Sequence, residues 1–553
     1  MTPYPESTEL KNNLSIFHLA LRHQVEYQTF KDFYNRLERQ GWQLHEYLET
    51  TPYSERQLQR AFLPQMIFTP YAHESLFGKT WMDEVKGKSP AEKRKAVLKE
   101  RLNPDSKICR HTENLLLTQK DNVWLNCPLH LTIKERTFVF TIEWADLWLF
   151  NDNTGVLAFK TKLEQVQKGD KYYSPSVDDL NTFNRSLRYS GGALGSSKED
   201  TVYHADDPAQ ICQLWDELVY EQWLGFANQN VLMLDETSQD IFDRYSRYSK
   251  LLTVAQIPDV QAGEAEFIWS KPLIHPDLIA PANYTALADN QWLPAFNVYQ
   301  RAMLSDYATV REMLLLELAT TSDEGKSWSG DRNWQYEPSY VKKLFVEGGI
   351  KVWRYWEGLA LRDVCAFMVY DDSMPLLRKQ QAESYYYPLY VHTYHQRFRL
   401  DCFSQEIIDH GLHDCVKARK ILEEFHAFHN QYWFKEATVD FQGVEIAARM
   451  KEGLAVEKKY QVVKEEVKEV SSFIDTKVQA GRQTVIALLI LAFYPFQYFG
   501  IGKWLAPFVS DLGGILSING IFLAIVLSSW LLLPRLLGPF CKLFAKLYHR
   551  TTE

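Results

Sequence analysis

The chain has 553 residues, 24% of them charged, and a formal net charge of −9 at pH 7. This length suffices for two or three domains, and the acidic balance argues against a nucleic-acid-binding protein. The seven cysteines form no CxxC pair, which argues against a disulfide framework or a thiolate zinc site. The first residues, MTPYPESTELKNN, contain no apolar stretch of the kind that a signal peptide has.

Residues 1–125 are predicted to be the helical N-terminal part of a cytosolic domain. The segment SIFHLALRHQVEYQTFKDFYNRLERQGW has apolar residues near helical spacing. A second helix is predicted in SPAEKRKAVLKERLNP, which begins with a Ser-Pro cap signal and ends at Asn-Pro.

Residues 126–380 are predicted to be an α/β cytosolic domain. The segments RTFVFTIEWADLWLF and VLAFKTKL are typical of strands around the turn sequence NDNTG, and GGIKVWRYWEGLALRDVCAFMVYDD predicts two more strands. The segment SGGALGSSK lacks the GxxxxGK[ST] spacing of a phosphate-binding loop and is interpreted as a plain loop. Sequence motifs of hydrolases, zinc proteases and nucleotide-dependent enzymes are missing, so we do not predict an enzyme.

Residues 381–483 are predicted to form long helices and a stalk. The stalk carries an apolar seam whose members are spaced 4, 3, 4, 3 and 4 residues apart, which is the pattern of a coiled coil. The seam residues are Val456, Tyr460, Val463, Val467, Val470 and Ile474. We expect one continuous helix of about 50 residues that self-associates through this seam.

Two uncharged stretches follow, at 484–502 and 512–534. At about 1.5 Å per residue each would extend roughly 28–35 Å, the thickness of a bilayer core. Lysine and arginine flank the pair on both outer sides, so the positive-inside rule predicts a multi-pass inner-membrane protein with both termini in the cytoplasm. The alternative is a pair of buried core helices.

The spacing of the stalk seam can be extended into the first of these stretches. It predicts pore-lining positions at Thr484, Leu488, Leu491, Pro495, Tyr498 and Gly502, with Gln497 and Gly500 at the pore mouth. The alternative is a plain membrane anchor with interfacial tyrosines.

This order of parts resembles the CorA superfamily of magnesium and related divalent-cation channels. The resemblance covers residues 380–553 by architecture: a long stalk helix, two C-terminal membrane helices, a short outer loop and a basic tail. The family's Gly-Met-Asn motif is replaced here by QYFGIGKW, which has Tyr498 and Gly500 but neither Met nor Asn. The resemblance implies a homopentamer in contact with membrane lipid and a divalent cation, Mg²⁺, as the candidate ion.

Two histidine pairs are candidate metal ligands. His392 with His395, and His426 with His429, are each three residues apart, so both members of a pair share one face of a helix. The alternative is that these are polar positions on amphipathic helices.

An aromatic and arginine-rich patch is a candidate ligand-binding site. Trp353 and Trp356 offer surfaces on which a nucleotide base can stack, and Arg354 and Arg362 offer partners for phosphate. The alternative is that these residues pack against a sheet face.

Three functions remain open from the sequence. The first is an oligomeric, CorA-like membrane channel whose cytosolic domain senses a ligand and gates ion passage. The second is a membrane effector of a bacterial defence system that a signalling nucleotide activates. The third is a non-conducting scaffold tethered to the membrane.

Overall fold

The structure is a computed structural model, and it describes residues 10–22, 41–44, 68–69, 72, 115–119, 125–133, 136–152, 154–188, 202–204, 211–212, 250–257, 310–322, 338–353, 356–369, 382–410, 414–433 and 436–498. The chain divides into two compact units, Met1–Val470 and Ser471–Glu553.

One large sheet is the centre of the first unit, and the described residues contribute thirteen strands to it. The strands are β1 (Asn12–Arg22), β2 (Trp42–Leu44), β3 (Leu115–Gln119), β4 (Pro128–Ile133), β5 (Arg136–Leu149), β6 (Thr154–Lys168), β7 (Lys171–Tyr173), β8 (Val202–His204), β9 (Ile211–Cys212), β10 (Lys250–Gln256), β11 (Gly349–Trp353), β12 (Trp356–Ala360) and β13 (Val364–Val369).

Ten strands follow one another across the sheet in the order β11-β12-β13-β10-β1-β6-β5-β4-β8-β9, while β2, β3 and β7 pair off this path. The pairing of β10 with β13 is parallel, and β1 pairs in antiparallel fashion with both β10 and β6. The strands β5 and β6 form the longest hairpin, which confirms the two strands predicted around NDNTG. The segment predicted to hold two later strands forms three, β11 to β13.

The helical prediction for SIFHLALR is wrong, because this segment is the central strand β1. Phe17 and Leu19 face one apolar cluster, whereas Leu14 and Ile16 face the other. A strand that is buried on both faces is apolar at nearly every position, so its sequence lacks the period of two that marks a half-exposed strand. The other helix predicted near the N-terminus lies outside the described residues.

Helices cover both faces of the sheet. They are α1 (Val177–Arg188), α2 (Val310–Thr320), α3 (Pro338–Gly348), α4 (Tyr387–His410), α5 (Cys415–Tyr432), α6 (Phe441–Gly453) and α7 (Val456–Tyr498), with a π-helical turn (Ala382–Tyr386) directly before α4. The helices α1 and α2 contribute to the apolar cluster on one face, and α4, α5, α6 and the start of α7 to the cluster on the other. The core therefore has two layers, separated by the sheet.

The helical region has more breaks than the sequence predicted. The helix α5, whose N-cap is Asp414, ends at Tyr432, and α6 begins anew after Asp440, whose side chain accepts a hydrogen bond from the backbone of Gly443. Between α6 and α7, Ala455 has a positive φ of 53°, which breaks the helix there. The long helix α7 begins at the next residue and has 43 residues.

The predicted pair of membrane helices is corrected by the structure. Within the described residues, none of the helices combines the length and the apolar character that crossing a bilayer requires. In α7 the continuous apolar run is 485–493, about 14 Å of helix, because polar residues precede it and Tyr494, Pro495 and Gln497 follow it. This finding contradicts the expected CorA-like two-span architecture and multi-pass inner-membrane location. The second predicted span, 512–534, lies outside the described residues.

Candidate anion-binding site

A group of charged side chains lies where β10 begins. Because β10 and β13 are parallel with Leu251 opposite Val364, the residues that precede them, Lys250 and Asp363, lie side by side. The backbone N–H of Leu251 donates to the carbonyl of Asp363 over 3.0 Å. The neighbouring β12–β13 turn is closed by a 2.7 Å hydrogen bond from the Leu361 N–H to the Val364 carbonyl.

Three cations surround the carboxylate of Asp363. Lys250 forms an ion pair with it, and Nη2 of Arg188, the last residue of α1, lies 3.9 Å from its Oδ2. Nη1 of Arg188 also donates to the Thr321 hydroxyl over 3.1 Å, just beyond the end of α2. Arg362 occupies the same turn as Asp363 and is exposed. The Asp363 side chain is 46% exposed and that of Lys250 is 15% exposed, so solvent reaches the group.

The pKa shifts of Lys250 and Asp363 indicate that an added anion would be favourable in this group. Burial lowers the pKa of the Lys250 ammonium, the Asp363 carboxylate raises it in part, and Arg188 and Arg362 lower it further. Burial opposes the ionisation of Asp363, but Lys250, Arg188 and Arg362 outweigh burial and hold the pKa of this carboxyl below its usual range. Among the described residues, the three cations all act on the Asp363 carboxyl, and a second negative group next to Lys250 would be stabilised.

Two neutral polar groups lie next to this charged group, in the interior. His18 of β1 is paired with Lys250 in the sheet, and its Nδ1 lies 3.3 Å from the Lys250 carbonyl oxygen. The ring of Tyr390, from α4, is centred 4.8 Å from that of His18. Both side chains are fully buried, and burial lowers the pKa of His18 to about 3 and raises that of Tyr390 well above its usual value. Within the described part of the chain, His18 Nε2 and the Tyr390 hydroxyl have no hydrogen-bond partner.

The histidines predicted as metal ligands have separate surroundings. His392 and His395 are buried in α4, and Nε2 of His395 lies 2.8 Å from Oδ2 of Asp152. His426 is exposed on α5, and Nδ1 of His429 lies 2.7 Å from the Tyr460 hydroxyl. No set of three His, Cys, Asp or Glu side chains among the described residues is placed to hold a metal ion.

The predicted aromatic and arginine patch is divided. Trp356 is buried and packs against Phe367 and Tyr386, so it belongs to the sheet face and not to a stacking surface. Trp353 ends β11, and Arg354 lies outside the described residues. Arg362 alone joins the charged group at the start of β10.

The predicted stalk seam is buried within this single chain. Its six residues are each at most 7% exposed. Val456, Tyr460, Val463 and Val467 belong to the same apolar cluster as α4 and α5, so this part of the seam packs against the chain's own helices. Self-association through the seam stays a prediction.

The residues predicted to line a pore lie at and beyond the end of α7. Thr484 and Leu488 are exposed, and Leu488 is 62% exposed. Leu491, Pro495, Gln497 and Tyr498 lie in the last turns of α7, whereas Gly500 and Gly502 lie outside the described residues. The pore assignment presupposed a membrane span that the structure contradicts.

Sequence reasoning identified one residue of the charged group, Arg362, and missed the others. Arg188, Lys250 and Asp363 come from three distant segments, and no motif links them. The only local signal is the Arg-Asp pair between two strand-like runs in LALRDVCAF, which is a turn composition.

Comparisons with known proteins give no further guide. No protein-family model, no curated protein and no solved structure matches this chain.

Proposed function

We propose that this chain is a ligand-sensing protein whose α/β domain binds a small phosphate-bearing molecule. The observation that carries the proposal is the placing of Lys250, Arg188 and Arg362 around Asp363 at a partly exposed end of the sheet. Arginine and lysine are the usual partners of phosphate because they supply both charge and hydrogen-bond donors. A signalling nucleotide belongs to this class of ligand.

Binding is expected to exchange one anion for another. The phosphate would replace Asp363 as the partner of Lys250. The Asp363 carboxylate would then be hydrated by solvent, to which nearly half of its side chain is already exposed. The phosphate also supplies the negative charge that raises the pKa of the Lys250 ammonium from its lowered value. Binding is therefore coupled to proton uptake when the pH is high enough for Lys250 to be partly deprotonated.

The helices α4 to α7 are the part expected to respond. The ring of Tyr390 in α4 is centred 4.8 Å from that of His18, the sheet partner of Lys250, so α4 adjoins the site. Farther along α4, Arg397 donates to the carbonyl of Ala455 over 3.1 Å, at the junction of α6 and α7. This contact supports a link from the site to the start of the long helix. A membrane channel is not part of the proposal, because none of the described helices is long and apolar enough to cross a bilayer.

Isothermal titration calorimetry of the full chain with inorganic phosphate and ATP as probes tests the proposal. We expect Arg362→Met to weaken binding severalfold and Lys250→Met to weaken it about tenfold, the loss of one charge-assisted contact. Asp363→Asn should tighten binding, because it removes the competing carboxylate. Lys342→Met removes an exposed cation of α3 and serves as the matched control.

Two results would overturn the proposal. One is that neither probe binds the wild-type chain at millimolar concentration. The other is that Arg362→Met, an exposed position that the fold tolerates, binds the probes as the Lys342→Met control does.

A further inference from the structure

The buried pair of His18 and Tyr390 extends the charged group into the interior. Lys250 and His18 are direct partners in the antiparallel pairing of β10 with β1, so their side chains lie on the same face of the sheet. That face is the one covered by α4, which contributes Tyr390. The cations and the neutral pair therefore form one continuous polar region, and an inference about the pair rests on the proposed function.

The hydrogen-bonding roles of the pair follow from its contacts. Nδ1 of His18 lies 3.3 Å from the Lys250 carbonyl oxygen, which only accepts, so Nδ1 carries the proton. Nε2 is then a lone-pair acceptor. The Tyr390 hydroxyl is a donor and also an acceptor.

Both side chains have a polar atom that forms no hydrogen bond with the described residues. Nε2 of His18 and the hydroxyl of Tyr390 are buried and make no hydrogen bond there, although the two rings are centred only 4.8 Å apart. Buried polar atoms without partners are costly, and most such atoms in proteins have a partner. A group that donates to Nε2 and accepts from the Tyr390 hydroxyl would satisfy both atoms, and a hydroxyl group has both capacities.

The surroundings exclude a charged occupant. His18 and Tyr390 are fully buried next to the rings of Tyr387 and Tyr394, which are centred 5.6 and 6.5 Å from that of His18. An ion in such a place would lose its hydration, whereas solvent reaches the side chains of Lys250 and Asp363. The charged part of a ligand belongs with Lys250 and Arg188, and its neutral polar part with His18 and Tyr390.

We infer that the ligand is a phosphate ester that carries a free hydroxyl group near the phosphate, and that His18 and Tyr390 recognise this hydroxyl. The ligand hydroxyl donates a hydrogen bond to His18 Nε2 and accepts one from the Tyr390 hydroxyl. The pair thus selects among phosphates, whereas the cations bind any of them.

The test compares probes that differ only in the hydroxyl. The full chain is titrated calorimetrically with inorganic phosphate, with ethyl and propyl phosphate, and with 2-hydroxyethyl and 3-hydroxypropyl phosphate. In the wild-type chain we expect at least one hydroxyalkyl phosphate to bind about tenfold tighter than the alkyl phosphate of the same length, the contribution of a satisfied buried pair. In Tyr390→Phe the preference should fall to less than twofold.

Tyr394→Phe is the matched control. Tyr394 is also buried, one turn farther along α4, but its hydroxyl accepts a hydrogen bond from the Ala20 N–H over 3.2 Å. This variant should keep the preference for the hydroxyalkyl phosphates. A Tyr390→Phe protein that is folded by circular dichroism but retains the preference would contradict the inference.

The remaining outcomes separate this inference from the proposed function. If inorganic phosphate binds and the alkyl and hydroxyalkyl phosphates bind equally, a buried water satisfies the pair and the inference fails alone. If no phosphate binds, the proposed function fails and the inference fails with it.

Discussion

Ala455 joins α6 to α7 in a left-handed conformation, with φ at 53°. For residues other than glycine this conformation costs about 1–2 kcal/mol, because Cβ approaches the backbone. Ala455 directly follows Leu454, the C-cap of α6. Glycine is the usual residue at this position after the C-cap. The strain is tolerated because the Ala455 carbonyl accepts from both Lys459 N and Arg397 Nη1.

Ala455→Gly should therefore stabilise the protein. We expect the free energy of unfolding to rise by about 1 kcal/mol, since glycine adopts this conformation freely. Urea denaturation followed by circular dichroism measures the change. The matched control, Ala447→Gly in the middle of α6, should lower the same quantity, because helix propensity falls there. A loss of stability in Ala455→Gly would contradict this account.

His18 makes the stability depend on pH. Burial lowers its pKa to about 3 in the folded chain, whereas an unfolded histidine has a pKa near 6.5. Below about pH 6.5, His18 is protonated in the unfolded chain but stays neutral in the folded chain. The unfolding free energy therefore falls as the pH falls. The slope for this one group is at most about 1.4 kcal/mol per pH unit between 6.5 and 3, and above pH 6.5 its contribution is constant.

His18→Gln removes the titrating group. Urea denaturation at pH 7, 6 and 5 should give a smaller loss of unfolding free energy for this variant than for the wild-type chain. Buried His392 has a lowered pKa as well, so part of the slope remains. Exposed His426 is the comparison, and His426→Gln should leave the slope unchanged. Equal slopes in His18→Gln and the wild-type chain would refute the assignment.

At the scale of elements, one arginine holds α4 to its neighbours. Nη1 and Nη2 of Arg399 lie 3.0 Å from Glu406 and 2.6 Å from Glu424 of α5, and its guanidinium lies 3.9 Å from the centre of the Phe403 ring. Arg399 Nε is 3.8 Å from Asp152, in the β5–β6 turn. Burial opposes the charge of Asp152, but His395 and Arg399 outweigh it and keep the pKa of this carboxyl well below its usual range. The helices and the sheet are thus joined by one buried cation.

Arg399→Met should lower the unfolding free energy by about 3 kcal/mol, because it leaves carboxylates without their buried partner. Arg399→Lys should restore little of it, since an ammonium cannot reach two carboxylates as a guanidinium fork does. Chemical denaturation measures both. Lys420→Met is the matched control: it removes an exposed partner of the same Glu424, 3.7 Å away, and should cost less than about 0.5 kcal/mol. Equal effects of the Met substitutions at 399 and 420 would argue against the buried network.

At the scale of the whole molecule, the apolar seam of α7 is part of the chain's own core. Val463 is fully buried, whereas its neighbour Val462 is 49% exposed. Val463→Ala should lower the unfolding free energy by about 2 kcal/mol, because two methylenes and their contacts are lost. Val462→Ala should change it by less than about 0.5 kcal/mol.

The dependence on protein concentration distinguishes internal packing from self-association. If the seam packs within the chain, the loss in Val463→Ala is the same at all protein concentrations. A loss that changes with the protein concentration would show that another copy covers this residue. Denaturation at 1 and 50 µM, about a fiftyfold range, is sufficient for the comparison.

The sequence alone determined the features that depend on neighbours along the chain. The turn sequence NDNTG between two β-rich runs predicts the β5–β6 hairpin, and the 4-3 spacing from Val456 onward predicts which face of α7 is apolar. In each of these cases the residues that decide the structure lie within one or two turns of each other.

Only the tertiary structure decided what each apolar face packs against. A strand covered on both faces and a helix can have equally apolar sequences, so β1 was predicted as a helix. The seam of α7 has the spacing of a coiled coil, yet its part from Val456 to Val467 packs in one apolar cluster with α4 and α5. The charged group joins Arg188, Lys250 and Asp363 through the parallel pairing of β10 with β13, and sequence spacing carries no record of that pairing. Which distant strands pair depends on how much apolar surface the whole sheet buries. Local sequence patterns do not describe that burial.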